Sequence, residues 1–205
     1  GCPDSDGDGW SNPDTLWNAG NGADAFPDEA SQWVDSDGDG YGDEALGIMA
    51  DQCPNISGSS TVDRLGCIDS DDDGWSDADS TWSTDDGADI WPQDATQSTD
   101  SDGDGFGDNL SGTNADDCPN EAGTSMQASK GCVDGDGDGW ADEDDAFPDI
   151  PSQWQDSDGD GWGDNQSSGA SRVDNFPDDP DSWSVTVSLN CIPHESMKCY
   201  VQNQY

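Results

Sequence analysis

The string Asp-x-Asp-x-Asp-Gly-aromatic begins six times in the 205-residue chain, at Asp4, Asp35, Asp69, Asp100, Asp134 and Asp156. Carboxylates at alternate positions, on a backbone that glycine lets turn tightly, do one kind of chemistry well: they converge oxygens on a hard cation. With each head Asp numbered 1, positions 1, 3 and 5 are Asp4, Asp6 and Asp8; Asp35, Asp37 and Asp39; Asp69, Asp71 and Asp73; Asp100, Asp102 and Asp104; Asp134, Asp136 and Asp138; Asp156, Asp158 and Asp160. Position 7 offers the backbone carbonyl of Trp10, Tyr41, Trp75, Phe106, Trp140 or Trp162, and position 9 is Asn12, Asp43, Asp77, Asp108, Asp142 or Asp164. Every unit closes in Asp, one residue, a Cys or aromatic, then Pro, and the Asp of that tail (Asp24, Asp51, Asp89, Asp116, Asp145, Asp174) supplies position 12.

Calcium takes six to eight oxygens at about 2.3–2.6 Å and tolerates irregular geometry, whereas magnesium demands a compact octahedron and zinc and copper favour imidazole or thiolate. A chain with one His and no Cys-x-x-Cys therefore points to calcium, with at least six ions expected. An EF-hand is disfavoured, because position 12 is Asp, no amphipathic helices flank the loops, and five of the six units insert five to nine residues between positions 9 and 12. Those inserts, rich in Ser, Thr, Gly and Asn, read as exposed loops on a fixed scaffold.

The elements that must hold these loops are not helices or sheets. Neither period runs through residues 1 to 180, and turns, loops and single helical turns are expected. Hydrophobic residues are 29% of the chain and Gly and Pro together number 37, too little apolar surface to offset chain entropy. The formal net charge of −44 adds self-repulsion, excludes nucleic acid and anionic lipid as partners, and favours cation capture. Six divalent ions would bring that charge to −32. No apolar run reaches the roughly 20 residues that span a bilayer. The opening at Gly1, without an initiator Met, reads as a processed or excised segment.

Gly-Cys pairs at positions 1, 66 and 131 mark a longer period of 65 residues. The expected organisation is calcium-binding repeats over 1–65 and 66–130, a shortened third over 131–181, and a tail over 182–205. In the tail, Ser184 to Leu189 alternates like a short strand, and Cys191 and Cys199 bracket a loop.

With DGDGDGWADEDDAFP from Asp134 to Pro148, and DSDGDGFGD at Asp100 followed by DDCPN at Asp116, the chain resembles thrombospondin type 3 repeats over roughly residues 1 to 180. The resemblance implies a mostly irregular, calcium-organised tandem-repeat rod, with backbone wound around rows of ions, disulfides joining successive units, and more than one ion per repeat. Long inserts and the replacement of tail Cys by Phe26, Trp91, Phe147 and Phe176 depart from that pattern. The recurring aromatics are expected to plug apolar gaps between loops, with carbohydrate binding as the alternative.

Seven cysteines suit an oxidising, extracellular or cell-surface setting. Cys53 with Cys67 and Cys118 with Cys132 share one spacing at equivalent junctions, and Cys191 with Cys199 forms a third pair. Cys2 is left over. It aligns with Cys67 and Cys132, whose partners lie upstream, so it asks for a partner in a longer parent chain or another subunit, including a head-to-tail homopolymer. Asn55, Asn109 and Asn165 stand in Asn-x-Ser sequons, candidates for glycosylation. No pair of carboxylates stands apart as catalytic and His194 has no nucleophile partner, so no enzyme is expected. The leading expectation is a calcium-stiffened extracellular spacer, adhesive or filament subunit; the second is a carbohydrate- or protein-binding adhesion module of a larger surface protein.

Overall fold

The computed structural model describes residues 1–185 and, as backbone, Val187–Ile192 and Lys198–Asn203. The chain is mostly irregular. Two single 3-10 turns, Ala19–Asn21 and Thr84–Asp86, lie in the long inserts of the first and third units. The strands β1 (Val187–Ile192) and β2 (Lys198–Asn203) form an antiparallel hairpin near the C-terminus. The expected strand thus begins three residues later than its alternating pattern suggested, and Cys191 and Cys199 lie in the two paired strands, on either side of the segment that joins them. Pairing two segments satisfies backbone groups that a lone strand would leave open. The register sets Cys191 opposite Cys199, while their side chains, and with them the expected third disulfide, fall outside the described residues, as does His194.

Chain packing defines two compact units. The first comprises Gly1–Ser101 and Gly107–Ala115, and the second Asp102–Phe106 and Asp116–Tyr205. The expected boundary at 65/66 lies within the first unit, and the one at 130/131 within the second. Cys53–Cys67 and Cys118–Cys132 staple these two positions, each closing 14 residues with Cα atoms 5.1 Å apart. Loops of that size contribute about 3 kcal/mol each by restricting the unfolded chain.

What is buried is unusual in kind. Among the described residues the buried apolar side chains are Ala23, Cys67, Ala88, Cys132, Ala141 and Phe147, whereas Asp24, Asp89, Asp116, Asp174, Gln32 and Gln153 rank among the largest fully buried ones. Small hydrophobic contacts supplement this polar interior. Trp10 stacks on Trp33, Trp140 on Trp154 and Trp162 on Trp183, with ring centroids 6.0–6.4 Å apart and planes within 10°. These are offset-stacked pairs, and each joins the position-7 Trp of a unit to a Trp just beyond that unit's tail. Six rings are thus paired, with Trp10 and Trp183 still exposed to solvent.

A buried glutamine anchors the insert in the second, fourth and sixth units. Gln32 donates from Nε2 to the carbonyls of Glu44 (3.1 Å) and Ile48 (3.2 Å) and accepts from Glu44 N (2.9 Å). Gln97 makes the same three bonds to Asn109 and Thr113, and Gln153 to Asn165 and Ser171. Position 8 of these units is Gly42, Gly107 or Gly163, where an added Cβ would sit 2.0–2.1 Å from the amide. Single parallel bridges, Gly42 with Ala50, Gly107 with Ala115 and Gly163 with Val173, close the loop mouth. The inserts are exposed at their tips, as Leu46 and Leu110 show, but pinned at their base. Gln153→Ala would remove three bonds to part-buried backbone groups and is expected to cost about 1–2 kcal/mol in chemical denaturation, with faster proteolysis within residues 165–171.

Candidate metal centres

Each head folds on its own carboxylates. Position 1 accepts the N–H groups of positions 4 and 6: Gly7 and Gly9 on Asp4 (2.8 and 3.2 Å), Gly137 and Gly139 on Asp134 (2.7 and 2.8 Å), Gly159 and Gly161 on Asp156 (2.7 and 2.9 Å). Asp35 and Asp69 do likewise. Position 5 accepts from the position-7 N–H at 2.7–3.0 Å, as in Asp8 to Trp10, Asp39 to Tyr41, Asp73 to Trp75, Asp138 to Trp140 and Asp160 to Trp162. At position 3, Asp6, Asp71, Asp136 and Asp158 accept the N–H of position 5 at 3.1–3.2 Å.

Positions 9 and 12 divide the remaining work. The position-9 side chain brackets residue 2 of its own loop: Ser36 donates N–H and Oγ–H to Asp43 (3.1 and 2.5 Å), Ser70 to Asp77 (3.0 and 2.5 Å) and Ser157 to Asp164 (3.2 and 2.6 Å). Gly135, lacking a hydroxyl, donates only its N–H to Asp142 (2.6 Å). Asn12 fits the same bracket with one bond reversed, accepting from Ser5 N and donating to Ser5 Oγ (3.0 and 2.7 Å). The tail Asp uses Oδ1 to accept the N–H two residues on, from Phe26, Cys53, Trp91, Cys118, Phe147 and Phe176, at 2.6–2.8 Å.

The second carboxylate oxygens are left over, and they are buried. Oδ2 has no hydrogen-bond partner in Asp6, Asp8 and Asp24 of the first unit, Asp37 and Asp51 of the second, Asp71 and Asp89 of the third, Asp136 and Asp138 of the fifth, or Asp158, Asp160 and Asp174 of the sixth. All of these occupy positions 3, 5 or 12. Among the described residues, the backbone carbonyls of Trp10, Tyr41, Trp75, Phe106, Trp140 and Trp162 at position 7 likewise accept no hydrogen bond. In the first three heads, one oxygen from each of Asp4, Asp6 and Asp8, of Asp35, Asp37 and Asp39, and of Asp69, Asp71 and Asp73 lies within 4.8 Å of the others. That is the spread that a coordination shell of about 2.4 Å radius allows. A buried carboxylate oxygen without a partner costs free energy, so the residues fit a hard cation that these clusters could hold.

The fourth loop falls where the two packing units divide. Asp100 and Asp108 belong to the first, where Ser101 brackets Asp108 at 3.0 and 2.7 Å; Asp102, Asp104, Phe106 and Asp116 belong to the second, where Phe106 N reaches Asp104 at 2.9 Å. Local geometry on each side follows the other loops.

The stapled tails reach back onto their own loops. Gly58 N donates to Asp39 Oδ2 (3.1 Å), and Gly123 N to Asp104 Oδ2 (2.9 Å). Gly66, at φ +76°, lies so close to Asp51 that a Cβ would meet Oδ1 at 2.4 Å, and Gly131 stands likewise against Asp116 at 2.1 Å. The glycines of the Gly66-Cys67 and Gly131-Cys132 pairs are thus required by both their backbone conformation and the carboxylate beside them, whereas Gly1 has nothing within 4 Å of where a Cβ would be.

Three glutamines, Gln32, Gln97 and Gln153, and three stacking partners, Trp33, Trp154 and Trp183, support the sites without having been singled out from sequence. The available signal was a Gln three residues ahead of each head that carries Gly at position 8. Of the sequon asparagines, Asn109 and Asn165 donate Nδ2–H to Thr96 O and Ser152 O (both 2.9 Å), while Asn55 is exposed.

Burial, reinforced by Asp39, Asp37 and Asp43, pushes the Asp51 carboxyl up to about 6; burial with Asp73, Asp71 and Asp77 does the same to Asp89. Burial among like charges also raises Asp24, Asp136 and Asp145. A carboxyl raised in the folded state binds more protons there than in the unfolded chain, so its contribution to stability falls as pH rises from about 4 to above 6. The metal-free protein is therefore expected to lose compactness over that interval at fixed ionic strength, measured by circular dichroism and hydrodynamic radius, and a bound divalent cation should reverse the trend. Neither the family models nor the curated proteins compared with this sequence gave a match, and the functional assignment rests on the loop geometry.

Proposed function

We propose that the six loops are calcium sites and that the chain is an extracellular structural segment, a spacer, adhesive or filament subunit made rigid by calcium. The observation that carries this reading is the set of buried, partnerless oxygens confined to positions 3, 5 and 12. A cation placed among them would be held by Oδ2 of those three residues, with the position-7 carbonyl and position 1 within the same turn. The ion supplies charge neutralisation and cross-linking, and the protein's residues supply the shape. Position 9 acts chiefly by fixing residue 2.

An all-oxygen donor set on an irregular loop favours calcium over zinc or copper, and the crowding of carboxylates favours it over magnesium. Two disulfides and the lack of a helix long and apolar enough to cross a membrane among the described residues are compatible with an extracellular setting. There, millimolar calcium keeps sites with dissociation constants of about 0.1–1 mM filled. A thrombospondin type 3-like rod is the architecture we infer, with each loop contacting its sequence neighbours. The stacked Trp pairs support a packing role for those rings. Nothing in the carboxylate arrangement singles out a reacting pair, and a structural role is the one we favour over catalysis. Glycosylation, if present, best fits Asn55, whose amide is exposed.

Calcium titrated into chelator-treated protein, with disulfides intact, is expected to give saturable heat, a contracted hydrodynamic radius and at least six bound ions by equilibrium dialysis. Magnesium at the same concentration should not reproduce the contraction. An unchanged radius across the titration would overturn the reading. Replacing Asp174 by Asn should remove binding at the sixth loop and leave the first five in place, because its Oδ2 has no other partner.

A further inference from the structure

The inserts of the first and third units are the same device. Asp14 Oδ1 accepts from Leu16 N and Trp17 N (2.7 and 2.8 Å), and Asp14 N donates to Trp17 O (2.7 Å). Asp79 repeats this with Thr81 N and Trp82 N (2.6 and 3.0 Å) and with Trp82 O (2.8 Å). In each, a 3-10 turn follows and ends on a left-handed glycine, Gly22 or Gly87, directly under the Trp ring.

The surfaces above these two loops differ. In the third unit, the Asp63-Arg64 pair that precedes Gly66-Cys67 covers it. Arg64 Nη1 lies 2.8 Å from Asp79 Oδ2, and its guanidinium sits over the Trp82 ring at 5.3 Å. Ser76 donates N–H and Oγ–H to Asp63 (2.8 and 2.6 Å), and Trp82 Nε1–H donates to the same carboxylate (3.2 Å). Thr61 N and Val62 N both donate to Gly74 O at 2.8 Å. The cation over an aromatic face, the ion pair and the bonds to Asp63 reinforce one another.

Sixty-five residues earlier in the chain, the equivalent surface of Trp10, Ser11, Asp14 and Trp17 lines a groove of about 300 Å³ beside Cys2. Among the described residues, Asp14 Oδ2 and Trp17 Nε1 make none of the bonds that Asp79 and Trp82 make. Gly9, the counterpart of Gly74, has nothing within 4 Å of where a Cβ would be. Cys2, the counterpart of the fully buried Cys67, is exposed and unbonded. The fifth unit completes the comparison: it has no insert, and the residues aligned with Asp63-Arg64 are Ala128-Ser129. Within this chain, the Asp-x-x-Trp insert and the preceding Asp-Arg pair are present together in the third unit and absent together in the fifth.

We propose that the Trp10–Asp14–Trp17 groove docks a polypeptide segment that carries an Asp-Arg pair, its Arg against Asp14 and Trp17 and its Asp against Ser11. A cysteine ten residues ahead of that pair, as Cys53 stands to Asp63-Arg64, then bonds Cys2. The bond forms by exchange: the Cys2 thiolate attacks the partner cysteine's sulfur in a mixed disulfide with a small thiol, one S–S bond forms as one breaks, and the small thiol leaves as thiolate. This deepens the structural-segment reading by naming the joint, and calcium binding to the loops is measured separately from capture at the groove.

The test uses the full chain in calcium and a synthetic peptide of residues 51–65, with its cysteine activated as the thiopyridine mixed disulfide. Cys2 is expected to capture this peptide at least tenfold faster than the same peptide carrying Asp63→Ala and Arg64→Ala, with thiopyridone release and intact mass as readouts. Asp14→Asn, which keeps the turn-forming oxygen but removes the charge, should abolish most of that advantage, and Cys2→Ser should give no adduct. Equal capture of the two peptides by the unaltered protein would overturn the proposal, whatever the folding of the variants. So would capture that is insensitive to Asp14→Asn, or a groove that an oligosaccharide occupies with no preference between the peptides.

Discussion

Carboxylates packed side by side in a protein interior repel one another with little solvent to screen them, and that repulsion decides almost everything else about this molecule. In most domains, burial is the reward of apolar side chains. Here the largest fully buried groups include Asp24, Asp89, Asp116 and Asp174, and the apolar set is small. Such an interior is relieved by protonation of its carboxyls or by compensating positive charge, and the chain's own supply of the latter is four Lys and Arg residues against 48 acids. One of these, Arg64, is committed to Asp79 and the Trp82 ring. The carboxylate clusters could take that compensation from metal ions, and the backbone presents their oxygens at a spread that would allow it.

The backbone meets that task with short-range bonds. In the heads, position 1 uses both carboxylate oxygens, and position 5 and most position-3 residues use one, to shape the loop, and what shapes it also fixes where the remaining oxygens lie. Position 9 acts from the other end of the turn by holding residue 2. This division of labour explains why an Asn is accommodated at position 9 in the first unit: the amide makes the same bracket as the carboxylate, with one donor and acceptor exchanged. At positions 3 and 12, where Oδ2 is left bare, an amide would present a donor to a cation.

Local chemistry was legible in the sequence and contacts between distant residues were not. The heads, the tails and both described disulfides follow from spacing within some 15 residues, and the structure places them so. The absence of helical or strand periodicity correctly foretold an irregular chain. The hairpin near the C-terminus was only half visible, because β2 lacks an alternating pattern and is defined by its pairing with β1. Gln32, Gln97 and Gln153 were hidden for a different reason: a glutamine in a polar stretch reads as surface, and its role depends on carbonyls 12 to 18 residues away. The inserts look like free excursions until those bonds are seen.

The glutamine anchor has a further consequence for how such a chain can change length. Loops led by Gln with Gly at position 8 alternate with loops led by Gly and carrying Ser or Ala there. Each Gln and the glycine that leaves room for it belong to one loop and move together, whereas removing or duplicating an internal loop would separate a cysteine from its mate. Removing or duplicating 65 residues keeps each cysteine, glutamine and position-8 residue in register, while the Arg64 contacts depend on an insert that the fifth unit lacks. The pair of loops is therefore the unit whose register the disulfides and glutamine anchors preserve together.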